Sequence, residues 1–123
     1  MLLIAAALTV LIGLYHSFAG EQRLIRPLLA LDTLPRLRGS RDFTRALIRT
    51  AWHITTLAWF GLAGILIVMD GQSGAGRTAV LGIIAAVFAV SGIAALILGR
   101  GRHPAWLAFL PIAGLSGFAA LQG

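Results

Sequence analysis

Four stretches of this chain, residues 2–19, 51–69, 78–98 and 105–121, contain no Asp, Glu, Lys or Arg. As α-helix each would extend ~25–32 Å at 1.5 Å per residue, against ~30 Å for the hydrocarbon core of a bilayer. The runs are continuous rather than alternating and exceed the ~10 residues of a barrel strand, so they predict helices. Only 11% of the 123 residues are charged, where a soluble domain carries about 25%. The mean hydropathy of +0.92 agrees. The chain therefore reads as an all-α integral membrane protein: a single domain of four transmembrane helices in an antiparallel bundle. The spans fall at about 2–19, 45–69, 78–98 and 104–121. A soluble enzyme, a DNA-binding domain and a disordered tail are excluded. The absence of Cys removes disulfides, thiolate metal sites and cysteine nucleophiles.

All ten basic residues are arginine, and nine of them fall in the first and third inter-helix segments, leaving only Arg77 for the second. The positive-inside rule assigns the nine to the cytoplasm. An inner-membrane protein with both termini in the periplasm follows. The net charge of +6 is then a matter of topology and of attraction to anionic head groups, and it implies no nucleic acid. Ser17-Phe18-Ala19 has the small-x-small form of a leader cleavage site. No charge precedes the apolar run, however, and the run exceeds a 7–15-residue signal core, so it is read as a retained span. The long segment 20–44 begins too apolar for a free loop. Its Leu and Arg pattern predicts an amphipathic stretch lying on the membrane surface, punctuated by Pro35 and Gly39. Ser40 or Asp42 is placed to cap the second helix, and Pro111 to kink or tilt the fourth.

Small residues recur at four-residue spacing, as in Gly82/Ala86, Ala85/Ala89 and Ala113/Gly117. Such faces allow close helix packing, within one bundle or in a homo-oligomer or larger membrane complex.

The spans carry no Asp, Glu, Lys or Arg at mid-membrane depth; what they carry is histidine. His16 lies five residues before Glu21, ~7–8 Å deeper along the axis, and His53 lies four residues past Arg49, ~6 Å deeper. Opposite helix directions bring the two imidazoles to similar depth, with His103 and Glu21 near the same end. Thr9, Gly13, His16, Ser17 and Gly20 form one polar, small stripe, and Arg45, Arg49, His53 and Thr56 form another, with Trp52, Thr55 and Trp59 alongside. Lipid offers such groups no partner, so both stripes are expected to face inward.

Two facing imidazoles suit axial ligation of a haem, with Gly13 and Gly20 giving room and Arg23, Arg26 or Arg49 meeting the propionates. A transition metal held by His16, His53, His103 and Glu21 is the variant. A small oligomeric transporter or channel, with protons carried on His16 or His53, is the alternative from a different class. A non-catalytic accessory subunit docking a partner through its arginine-rich segment is a third. An enzyme has the least support, for want of Ser-His-Asp spacing or paired carboxylates.

Overall fold

The computed structural model describes residues 1–123 and is all-helical, with no strand. Helix α1 (Leu2–Gly20) passes through one π-helical turn (Glu21–Ile25) into the short α2 (Arg26–Leu29). Together they make an unbroken helix of 28 residues, Leu2–Leu29. Then come α3 (Arg41–Asp70), α4 (Ala75–Leu98) and α5 (Trp106–Leu121). Leu2–Leu29, α3 and α4 are each long and apolar enough to cross a membrane; α5 is shorter, at 16 residues. Pro111 lies inside α5 without ending it.

The wide turn after α1 has a local cause. Arg26 N–H bonds to the Glu21 carbonyl five residues back, and Pro27, which follows, has no N–H to donate. One π turn absorbs that missing donor and lets the helix run on. The expected surface segment 20–44 is corrected accordingly. Residues 20–29 continue the first helix because Ile25 and Leu29, four apart, bury on one face. Only 30–40 remain as a connection. Arg38 and Gly39 turn the chain there at positive φ, and the buried Thr44 hydroxyl accepts from Leu37 N–H and donates to the Pro35 carbonyl. Ser40 caps α3 by accepting from Phe43 N–H at 3.3 Å. Arg45 Nε donates to the Leu29 carbonyl at 2.9 Å, tying the start of α3 to the end of α2.

α1 packs on α3, α4 packs on α5, and α1 meets α5 between the two pairs, whereas α3 hardly touches α4. The shared core runs through Leu2, Ala5, Ile12 and Leu66 into Leu81, Ile84, Phe88, Phe109 and Ile112. At Gly92 α4 lies close against α5: a Cβ there would stand 2.6 Å from Leu110 Cδ2. Gly117 likewise approaches the Ala85 Cβ, while Gly82 opens onto empty space. At the end away from the other nine arginines, Arg77 donates to the Met69 carbonyl (3.1 Å) and the Ala119 carbonyl (2.7 Å). It thereby serves the C-terminal ends of α3 and α5, where a cation also suits the helix dipole.

Candidate functional site

Consecutive residues on a helix point about 100° apart, and this separates His16 from Ser17. Ser17 faces α3. Its Oγ lies 2.9 Å from His53 Nδ1 and 2.7 Å from Thr56 Oγ1, and Thr56 also reaches the Gly13 carbonyl at 3.4 Å. His53 Nε2 lies 3.2 Å from Glu21 Oε2, so this ring nitrogen carries the proton given to the carboxylate. Glu21 Oε1 in turn accepts from Arg49 at 3.0 Å and faces Arg26 at 3.7 Å. Glu21, His53, Ser17 and Thr56 thus form one polar chain joining α1 to α3.

Hydroxyls can donate in either direction, so each member of the chain finds a partner. Its order of carboxylate, imidazole and hydroxyl is the one that activates a serine nucleophile. Ser17, however, lies inside α1, where the surrounding amides belong to the helical ladder and supply no free donors for an oxyanion. The far end of the chain stops at the Gly13 carbonyl. What the arrangement does chemically is clamp two helices together. Ser17→Ala leaves His53 Nδ1 without its partner and should destabilise the protein by about 1 kcal/mol, the usual scale for a side-chain hydrogen bond. Unfolding in mixed detergent checks this, with Ser17→Thr expected to restore most of the loss.

His16 looks the other way. Its ring stacks on Trp52 at 4.1 Å between centroids, 9° from parallel, and meets the edge of Trp59 at 4.9 Å. The pairing is reciprocal, because His16 Nε2 donates to the Trp52 carbonyl at 3.3 Å and Trp52 Nε1 donates to the His16 carbonyl at 3.1 Å. Gly20 makes the fit possible. A Cβ on it would stand 2.5 Å from Trp52 Cζ2, so only glycine lets the indole lie against α1.

Beside this stack is a cavity of about 540 Å³. Ile12, Tyr15, Ala19 and Leu24 form one wall and Trp52 and Trp59 another, with Ala95, Ala105 and Phe109 opposite. Arg23, Arg102, His103 and Pro104 also line it. His103 Nδ1 accepts from Ala105 N–H at 3.2 Å, which leaves Nε2 as its free ring nitrogen. Trp106 donates to the Gly101 carbonyl and takes no part in the lining.

The residues expected to hold a haem or metal are therefore distributed differently from the sequence reading. His16 and His103 border the large cavity, whereas His53 and Arg49 border a separate one of about 340 Å³. Glu21 sits in the clamp between α1 and α3. No group of three or more His, Cys, Asp or Glu side chains is arranged to hold a metal ion, so His16, His53, His103 and Glu21 do not form a ligand set. For a haem, the space that Gly13 and Gly20 were expected to provide is filled by Phe60 and Trp52. Both nitrogens of His53 are already engaged. Of the expected propionate partners, Arg26 and Arg49 face Glu21 and Arg23 alone has no acid.

Trp52, Trp59, Arg102 and Phe109 are the site residues that sequence reasoning missed. The only advance signal was Trp52 and Trp59 flanking the stripe that carries His53. Compared with protein-family models, curated proteins and solved structures, the chain finds no match in any of the three.

Proposed function

We infer that this is a small multi-pass inner-membrane protein that binds an amphiphilic molecule in the cavity beside His16. Its four helices are read as an antiparallel bundle with both termini in the periplasm and the arginine-rich end in the cytoplasm. Opposed register supports that arrangement: Gly13, Ser17 and Glu21 meet Thr56, His53 and Arg49 in turn. Bulky apolar side chains such as Leu11, Leu57, Val90 and Leu107 face outward, an arrangement that suits acyl chains and not water. The bias of nine arginines to one end supports the orientation.

The observation that carries the binding reading is the cavity itself. At about 540 Å³ it falls within the roughly 300–1,000 Å³ of small-molecule sites, which are apolar and aromatic with a few polar groups. None of the clamp residues Ser17, Glu21, His53 and Thr56 lines it. Binding, rather than metal-centred or nucleophilic chemistry, is what these side chains support.

Native mass spectrometry of gently purified protein tests this. One bound amphiphile per chain is expected in the natural sequence. It should be absent from Ala95→Phe, which fills the cavity from α4 while the clamp stays intact. A protein that carries no amphiphile, or whose retention is indifferent to Ala95→Phe, would contradict the reading.

A further inference from the structure

The charges around the cavity are unbalanced in a way that selects among amphiphiles. Five arginines have a carboxylate or a carbonyl as partner: Arg26 and Arg49 through Glu21, Arg41 through the Leu34 carbonyl, Arg45 through Asp42, and Arg77 through two carbonyls. Of the five with neither, Arg36, Arg38 and Arg100 do not line the cavity, whereas Arg23 and Arg102 do. No Asp or Glu lines it. Glu21 is held by His53 and Arg49, and Asp32 and Asp42 lie against Arg45.

Resting on the amphiphile-binding reading above, the geometry points to a phosphate-headed amphiphile as the occupant, its phosphate between Arg23 and Arg102. The two guanidinium groups come from different elements, the turn after α1 and the segment before α5. His103 Nε2 adds a third donor nearby. Donors converging from several elements suit the tetrahedral oxygens of a phosphate better than the two coplanar oxygens of a carboxylate, and guanidinium matches phosphate through paired N–H bonds. The remainder of the molecule lies along Trp59, Phe109 and Ile12, which offer apolar surface and no charge. The partnered arginines serve the fold. The two unpartnered ones at the cavity serve the ligand.

Tryptophan quenching by brominated lipids tests this in the full-length protein carrying Trp106→Phe, so that Trp52 and Trp59 alone report. Dibrominated phosphatidic acid is expected to quench at about one-tenth the concentration needed for dibrominated phosphatidylcholine, since charge-assisted hydrogen bonds set the difference. Arg23→Gln with Arg102→Gln should abolish that preference and leave the weaker phosphatidylcholine quenching in place. Because neither arginine has a protein partner, an unchanged helical spectrum is expected of this variant. Equal quenching by both lipids in the natural sequence would overturn the headgroup assignment while leaving the cavity reading standing. No quenching by either would overturn both. Millimolar inorganic phosphate should fail to displace the bound phosphatidic acid. Displacement would overturn the amphiphile in favour of a free phosphate ion.

Discussion

Gly20→Ala is expected to destabilise the protein by about 1–3 kcal/mol, although it adds a single methyl group and improves helix propensity. The added Cβ would stand 2.5 Å from Cζ2 and 2.8 Å from Cε2 and Nε1 of Trp52. Nothing flexible is available to yield. The indole is held from one side by the His16 ring and along its edge by the bond to the His16 carbonyl. Shifting it costs that bond and opens the stack, while leaving it in place forces α1 away from α3. Unfolding in graded denaturing detergent measures the loss. Gly82→Ala is the control, because a Cβ there meets nothing within 4 Å, and it should be neutral or slightly stabilising.

Trp52→Ala is expected to cost about 2–3 kcal/mol, less than the ~3–5 of a fully buried large aromatic because the ring is half-buried. The change removes the partner of His16, empties the notch at Gly20 and takes away one wall of the cavity. Bound amphiphile should be lost along with stability. Trp52→Phe narrows these contributions, since it keeps an aromatic face on His16 while losing the N–H to the His16 carbonyl and the part of the indole that fills the notch at Gly20. Its cost should be near 1 kcal/mol, with amphiphile retained. Equal losses for the Phe and Ala variants would show that the indole's N–H and its seat at Gly20, and not the stack on His16, hold the ring.

Hydropathy made the helices legible because continuous apolar runs have one economical solution where water is scarce. α4 ends at Leu98, where the third run ends, and α3 ends at Asp70, the first acid after the second run. The segment after residue 20 was misread because its charges look like a boundary. In the folded chain Glu21 is answered by Arg49 and His53 from α3, so the acid marks a helix contact and the helix continues.

The candidate site was half-legible for a related reason. Helical spacing correctly turned Ser17, His53 and Thr56 inward, because period alone fixes which positions share a stripe. It could not say which neighbour each imidazole meets. His16 and Ser17 belong to one stripe, yet the 100° between them sends the ring to Trp52 and the hydroxyl to His53. The tryptophans carry the same apolar signal whether they anchor at an interface or stack in a core. That is why Trp52 and Trp59, placed beside the His53 stripe, were given no part in the site, and why the glycines looked like room for a cofactor when they are seats for aromatic rings.

Photolabelling in native membranes bears most directly on the account. A phosphate-headed amphiphile with a diazirine in its chain would be activated with the protein still in its bilayer, and the labelled residues mapped by peptide sequencing. The account predicts label on Tyr15, Trp59 and Phe109, lost when Ala95→Phe fills the space between them. Label confined to outward residues such as Leu11, Leu57 and Leu107, and unaffected by that substitution, would mean that lipid only surrounds the helices and the cavity holds nothing.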